Sequence, residues 1–297
     1  MDDLGAAHGW QHAMLSIARG DGDFLQLGDR HWAFFAEERP KLLVTYEDIS
    51  SLRESDDLLP RHYALAKANG WSLMTILSDG ETWWRDPAVF DYFDRLSDDG
   101  FLEAFDRVVI YGAGISGYAA AAFSIAAPGA ELVLVAPRAT QDPHRVGWDT
   151  RHRAARRIDF NDRYGYAPDM IESAEKVWLI HDPLNPPDAM HASLFLRPWV
   201  TPLLARHTGE STEDALSEMH ALDRILEAVM ERRFSPEFFA WLWRGRRSNA
   251  DYLRAILAQA RVTGHPKREA KICRSVTSRL NAPRFARRLA ELTGEGQ

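Results

Sequence analysis

The chain has 297 residues, of which 45% are apolar, a single cysteine and a formal net charge of −7. This length and composition fit one large α/β domain, with or without an appendage, and a single cysteine excludes a disulfide framework and any cysteine-rich metal site. The acidic first residues lack a signal-peptide pattern, and the central apolar run 118–127 is too short to cross a bilayer, so we expect a cytoplasmic protein.

Basic residues are concentrated towards the C-terminus. Residues 232–293 contain 15 Lys or Arg against 4 Asp or Glu, a net charge of +11, which leaves −18 for the rest of the chain. Such a segment can meet an acidic protein, a nucleic acid or an anionic membrane face, or its helix faces can simply be solvated. No basic motif of the kind that interleaves aromatic residues for nucleic-acid binding accompanies this charge, which favours solvated helix faces and argues against a nucleic acid. An acidic protein partner of these helices is the alternative, and no membrane span is expected.

Strand-like and helical patterns alternate over the first two thirds of the chain. Strands are predicted at 24–27, 31–37, 41–46, 71–77, 108–111, 131–136, 177–181 and 199–205. Helices are predicted at 62–68, 81–105, 118–124 and 188–196, then as one long helix over 212–232 and shorter ones to the end. This alternation predicts an α/β fold with a doubly wound, mostly parallel sheet. We place this domain at 1–234, with a lid or interface insertion at 137–170, and a basic helical appendage at 235–297.

The chain is organised around a strand, a glycine-rich turn and a helix over residues 107–124. Gly112, Gly114 and Gly117 follow the spacing of a dinucleotide-binding turn, in which backbone N–H groups hold a pyrophosphate. The next strand ends in Ala-Pro-Arg instead of the acidic residue that binds a ribose hydroxyl, although Arg138 could meet a 2′-phosphate. An NAD(P)- or flavin-dependent oxidoreductase that uses these three glycines is therefore one alternative.

The same stretch, YGAGISGYAAAAFS, resembles a nucleophile turn of another kind. It is similar to the Tyr-Gly-x-Ser-x-Gly-Gly-Tyr-Ala-Ala turn of bacterial serine-hydrolase-like proteins associated with glycosyltransferases and surface-polysaccharide loci. The matching positions are Tyr111, Gly112, Gly117, Tyr118, Ala119 and Ala120. The resemblance extends over somewhat more than half of the chain. It implies an α/β-hydrolase fold and acyl transfer or ester hydrolysis on a small-molecule or glycan substrate, without a cofactor.

The nucleophile position of this resemblance is degenerate. The alignment that keeps both flanking glycines places Gly114 where the serine belongs, and Ser116 is then either a displaced nucleophile or the hydroxyl that caps helix 117–124. By chain order Asp182, directly after a strand, is the candidate acid, and His207, after the last strand, is the candidate base. A catalytically inactive relative that binds a partner or polysaccharide machinery is the rival hypothesis.

Other chemistries lack their motifs in this sequence. No phosphate-binding loop with its lysine occurs, and no His-Glu-x-x-His pair is present. The histidines are too far apart in the sequence to suggest a metal site. Under the serine-hydrolase hypothesis we therefore predict neither a metal nor a cofactor.

Overall fold

The structure is a computed structural model that describes residues 3–38 and 40–294. Its single sheet contains eight strands, β1 Gly22–Leu27, β2 His31–Ala36, β3 Lys41–Asp48, β4 Ser72–Ser78, β5 Arg107–Ala113, β6 Glu131–Val135, β7 Lys176–His181 and β8 Val200–Leu204. The strand order is β1-β2-β4-β3-β5-β6-β7-β8. Strand β2 is antiparallel to both of its neighbours, and β3 to β8 are parallel to one another. This is the α/β-hydrolase fold, so the predicted fold class is confirmed.

Helices cover both faces of the sheet. They are α1 Asp3–Asp21, α2 Ile49–Glu54, α3 Tyr63–Ala68, α4 Pro87–Asp98, α5 Gly114–Ala122, α6 Pro143–Val146, α7 Ala167–Met170, α8 Pro186–Leu194, α9 Thr212–Glu218, α10 Ala221–Met230, α11 Pro236–Leu242, α12 Ala250–Val262, α13 Pro266–Thr277 and α14 Pro283–Thr293. Within the described residues, no helix is both long enough and apolar enough to cross a membrane.

The central strands are apolar because both faces of the sheet are covered. In β3, Leu42 and Val44 pack into a cluster on one face with α4 and α5. Leu43 packs into the cluster on the other face, which contains residues of α1 and α10. Side chains of a strand alternate between faces, so a strand buried on both sides becomes a continuous apolar run instead of an alternating one.

Two predicted helices were wrong in extent. The pattern over 212–232 is two helices, α9 and α10, separated at His220, whose φ of 51° is left-handed. Of the pattern over 81–105, only residues 87–98 form an α-helix, α4, which begins after the capping side chain of Asp86. Trp84 has the spacing of this helix but lies in a turn with a φ of 53°, and it is buried in the same cluster as α4. Burial thus produced helical spacing in residues that are not helical.

The last three helices have an apolar cluster of their own. Its buried members are Leu253, Leu257, Cys273, Val276 and Phe285. Helix α11, in contrast, contributes Phe239 and Leu242 to the cluster beneath the sheet. Tyr252 packs against both clusters, so the change from one to the other occurs in α12. The domain boundary after residue 234 stays a prediction, and these clusters favour one nearer to α12.

Buried and half-buried charged side chains link the segment 137–170 to helix α8. Arg138 forms an ion pair with Asp188, and Arg151 pairs with the same carboxylate at 2.8 Å. Arg151 also contacts Asp149 at 2.8 Å, and Asp149 Oδ2 lies 2.8 Å from Nε2 of His191. The function of this segment as a lid or interface stays a prediction.

The hydrogen bonds of this network define the protonation of its members. The backbone N–H of Ala139 donates to Nδ1 of His191 at 3.1 Å, so the ring proton lies on Nε2 and is donated to Asp149. Burial alone would raise the pKa of Asp149, but the hydrogen bonds from His191 and Arg151 hold it well below its usual value. Burial lowers the pKa of His191, against the effect of Asp149. The pair is therefore a carboxylate and a neutral imidazole.

Candidate functional site

The turn between β5 and α5 has the geometry of a nucleophile turn but carries no side chain at its apex. Gly114 has a φ of 55°, and the helix begins at this residue after Ala113. An α/β-hydrolase holds its nucleophile at such a sharp turn from strand to helix. A Cβ added to Gly114 would meet no other heavy atom within 4 Å. The position has room for a side chain, and the chain places glycine there.

Close packing explains the two other glycines of the turn. A Cβ on Gly112 would lie 2.2 Å from the carbonyl oxygen of Ser116, and one on Gly117 would lie 3.0 Å from Cα of Pro137. The backbone approaches Gly112 too closely for any side chain, and at Gly117 a side chain would require Pro137 to move by a few tenths of an ångström. The turn also follows the third parallel strand of the sheet, whereas a dinucleotide-binding domain carries it after the first.

Ser116 lies in the first turn of α5 and lines a cavity. The helix begins two residues before it, with Ala113 at the cap position and no side-chain capping hydrogen bond. The interpretation of Ser116 as the cap of helix 117–124 was therefore wrong, because the helix starts earlier than the sequence pattern indicated. Its place in the cavity leaves the displaced-nucleophile interpretation as a proposal.

The candidate acid and base lie on neighbouring loops at the ends of β7 and β8. Asp182 is buried and accepts hydrogen bonds from the N–H groups of Leu184 at 2.9 Å and Gly209 at 2.8 Å. His207 has a left-handed φ of 70°, and its ring lies 6.2 Å from that of Tyr252. Burial lowers the pKa of His207, although the charge of Asp182 acts in the opposite direction. The hydrogen bond from Gly209 to Asp182 thus stabilises the loop that carries His207, the candidate base.

Ser116 and His207 line different cavities. His207 lines a cavity together with Tyr252 and other residues of α9 and α12. Ser116 lines a different cavity, between β3 and β5. Neither of these two cavities is lined by both Ser116 and His207, and the assignment of Ser116, Asp182 and His207 as catalytic residues stays a prediction.

The cavity beside Ser116 lies where ligands of open α/β sheets bind. From β3 the chain goes first to β4 on one side and then to β5 on the other, so the strand order reverses between β3 and β5. Crevices at the carboxyl ends of strands at such a switch point are the general ligand sites of these sheets. The cavity has a volume of about 110 Å³. Its lining is Thr45, Tyr46, Glu47, Asp48, Ser51, Arg61, His62, Tyr111, Ala113, Ser116 and Glu213.

Glu47, at the end of β3, has one carboxylate oxygen without a hydrogen-bond partner. Its Oε2 accepts from the N–H of Arg61 at 3.2 Å and from the hydroxyl of Ser51 at 3.3 Å. Its Oε1 is buried and has no partner in the described part of the chain. Burial raises the pKa of Glu47 to about 7, against the hydrogen bond and the charge of Arg61. The group therefore exchanges its proton near neutral pH.

His62 is buried beside the same cavity with both ring nitrogens free. Neither Nδ1 nor Nε2 has a hydrogen-bond partner among the described residues, and the side chain is 3% exposed. Its ring lies edge-on to that of Tyr111, 5.0 Å away. Burial and the charge of Arg61 lower the pKa of His62 to about 3, so the imidazole is neutral. It offers one donor and one acceptor at neutral pH.

A chain of polar contacts closes the other side of the cavity. The hydroxyl of Tyr111 donates to Oε1 of Glu213 at 2.7 Å, and Nη1 of Arg61 lies 2.7 Å from the same oxygen. No group of three or more His, Cys, Asp or Glu side chains in residues 3–38 and 40–294 is arranged to hold a metal ion. The lining of the cavity therefore includes three carboxyl groups and one guanidinium.

Sequence reasoning missed most of this cavity. The acidic residues at the end of β3 are not among the residues predicted for the site. No sequence motif distinguishes His62 or Glu213, because each belongs to a predicted helix, and the helical pattern indicates only which side chains pack against the core. The acidic end of a buried strand, Glu47-Asp48, was the one available indication.

No family model and no curated protein matches this sequence. Carboxyl esterase 2 of the fungus Tuber melanosporum matches the structure with a TM-score of 0.48 and 12% identity, over 72% of this chain and 86% of that one. The capsule O-acetyltransferase of Neisseria meningitidis serogroup A matches with a TM-score of 0.47 and 8% identity, over 73% and 99%. A sugar hydrolase of Lactococcus lactis matches with a TM-score of 0.46 and 15% identity, over 72% and 98%. At such low identities and TM-scores these similarities assign no activity to this chain.

Proposed function

We propose that this protein is a catalytically inactive α/β-hydrolase-fold protein that binds a small hydroxyl-bearing ligand in the cavity between β3 and β5. The observation that carries the proposal is the pair of buried, unpartnered groups at the switch point, His62 and Oε1 of Glu47. Buried polar groups are almost always hydrogen-bonded, and each one left unpaired costs about 1–3 kcal/mol. A ligand that pairs them would recover that free energy.

The protonation states select the chemical class of the ligand. A neutral imidazole donates through one nitrogen and accepts through the other, and a hydroxyl group can satisfy either role. Glu47, with a pKa of about 7, can likewise accept or donate near neutral pH. A polyol or a sugar fits this set of partners better than an anion, because Asp48 and Glu213 also line the cavity. The resemblance to proteins of surface-polysaccharide loci favours a carbohydrate.

Thermal unfolding in the presence of simple carbohydrates tests the binding site. We expect at least one of glucose, galactose, N-acetylglucosamine and glycerol to raise the melting temperature, since a ligand at about a hundred times its Kd adds about 2.7 kcal/mol. The variant His62→Phe should lose this response, because phenylalanine keeps the packing against Tyr111 and removes both nitrogens. His144→Phe, at an exposed position, is the matched control and should keep it. A response that survives in His62→Phe would contradict this site.

Acyl transfer or ester hydrolysis through Ser116 is the second candidate function. It is favoured by one observation, that Ser116 lines the same cavity as Glu47, a carboxyl group with a pKa of about 7. Attack of the hydroxyl on the ester carbonyl would transfer its proton to the Glu47 carboxylate. Collapse of the resulting oxyanion would break the bond to the leaving alcohol, which would take up that proton. The carboxylates in the cavity would, however, destabilise the oxyanion that forms, and for this reason we place this function second.

Labelling with a fluorophosphonate probe separates the two functions. We expect no covalent labelling of the wild-type protein, because the apex of the nucleophile turn is glycine and Ser116 lies two residues further into the helix. Labelling that disappears in Ser116→Ala but persists in Ser193→Ala would establish Ser116 as a nucleophile and overturn the first proposal. The exposed Ser193 serves as the control because its hydroxyl only returns to the helix backbone.

A further inference from the structure

The last three helices form a groove lined by arginines. Its walls are α12 and α14, and its charged lining residues are Arg254, Arg261, Arg284, Arg287, Arg288 and Glu291. The groove has a volume of about 200 Å³. On α12 the two arginines, 254 and 261, are seven positions apart, and on α14 positions 287 and 288 lie three and four residues after 284, so each set lies on one face of its helix. Five guanidinium groups and one carboxylate thus line a single concave surface.

Part of this positive charge is neutralised inside the helical unit. The buried carboxylate of Glu269, on α13, accepts from Nη2 of Arg288 at 2.6 Å and lies 4.0 Å from Nε of Arg261. Arg288 also pairs with Glu291 at 3.0 Å, and Arg254 forms an ion pair with Asp251. The ion pairs of Glu269 link α13 to α12 and α14, so that Glu269 and Glu291 are already paired with arginines of this helical unit.

Two arginines of the groove remain without a carboxylate partner. Arg284 and Arg287 are exposed, and neither forms an ion pair within the described residues. Between the rows of arginines the floor contains Leu257 and Phe285, which are buried members of the cluster of these helices. The groove therefore combines unneutralised guanidinium groups with an apolar floor.

We propose that this groove binds an acidic segment of a partner protein, with carboxylates paired to Arg284 and Arg287 and an apolar side chain over Leu257. Guanidinium groups bind carboxylates through two parallel hydrogen bonds, which gives both affinity and orientation. The inference is independent of the cavity between β3 and β5, because the two sites share no residue.

A protein partner fits the groove better than a nucleic acid. Single-stranded nucleic acids are bound by exposed aromatic rings on which bases stack, but the aromatic residue of this groove, Phe285, is only 6% exposed. Outside residues 232–293 the chain carries a net charge of −18, which would repel a long phosphate backbone. A short acidic segment, in contrast, needs to approach only the groove.

Fluorescence anisotropy with a short fluorescein-labelled peptide of alternating glutamate and leucine tests the proposal on the full chain. We expect binding that weakens as salt is added, since the contacts are ionic. The double variant Arg284→Glu/Arg287→Glu should weaken binding by about tenfold or more, because two attractive contacts become repulsive. The control Lys267→Glu/Lys271→Glu makes the same change of charge on exposed positions of α13 outside the groove, and should weaken it by less than about twofold.

Three results would overturn the proposal. The first is the absence of peptide binding at low salt, and the second is an equal loss in the groove variant and the control variant. The third is tight binding of a labelled oligothymidylate that is lost in Arg284→Glu/Arg287→Glu, which would assign the groove to nucleic acid. Circular dichroism of both double variants shows whether the helices are intact, and all four positions are exposed, so the variants should fold.

Discussion

Replacing Asp188 by alanine is expected to lower the free energy of unfolding by about 3–5 kcal/mol. The carboxylate of Asp188 is buried and pairs with Arg138 and Arg151. Its removal leaves the guanidinium of Arg138, which is only 8% exposed, without its carboxylate partner. An unpaired buried charge loses its hydration without compensation, so the cost exceeds the value of the ion pair itself. Urea denaturation followed by circular dichroism measures this loss.

The matched control for this experiment is Asp169→Ala. Asp169 also pairs with an arginine, Arg197 at 3.7 Å, but it is exposed. Exposed ion pairs contribute about 0–1 kcal/mol, so the control should unfold close to the wild-type midpoint. Equal losses in Asp188→Ala and Asp169→Ala would show that the network around 137–170 does not carry the stability that its burial indicates.

Replacing Glu47 by glutamine is expected to change how stability depends on pH. In the folded protein burial raises the pKa of Glu47 to about 7 from a reference value of 4.5. Below the reference value the group is protonated in both states. Between the two values only the unfolded chain loses the proton, so the wild-type protein loses stability as the pH rises. Above pH 7 the group is ionised in both states, and the stability that the wild-type protein has lost then stays constant. It is about 3 kcal/mol, since each unit of pKa shift corresponds to about 1.4 kcal/mol.

Unfolding free energies of both proteins between pH 4 and pH 8 test this expectation. Glu47→Gln should gain stability relative to the wild type as the pH rises from about 5 to about 7, and the difference should then level off. The low pKa values of His31 and His62 make stability fall towards acidic pH, but both histidines are present in the two proteins. Glu54→Gln, at an exposed position of α2, gives the baseline for loss of a carboxylate. A pH-independent difference between wild type and Glu47→Gln would contradict the raised pKa.

The sequence alone predicted the fold class and the organising turn. Continuous apolar runs indicated the buried strands, and their alternation with helices indicated a parallel sheet. The spacing of the glycines also predicted the turn, and the structure shows that the backbone approaches Gly112 and Gly117 closely. These features are local, because a strand, a tight turn and a helix start each depend on residues that are close in the sequence.

The sequence predicted helix boundaries poorly where buried residues keep a helical spacing although the backbone is not helical. Trp84 is buried in the same cluster as α4 and continues its spacing, yet it lies in a left-handed turn. Periodicity reports which side chains face a core, and it does so whether or not the backbone between them is helical. The break at His220 was hidden for the same reason, as apolar residues on both sides of it face the sheet.

Only the tertiary structure decided which polar residues share a site. Chain order suggested Ser116, Asp182 and His207, but Ser116 lies in one cavity and His207 in another. The residues that do meet, Glu47, His62, Tyr111 and Glu213, come from β3, the approach to α3, β5 and α9. They are distant in the sequence and are brought together because the strand order reverses between β3 and β5. Local patterns record the periodicity of each element, whereas proximity between elements depends on how the sheet is assembled.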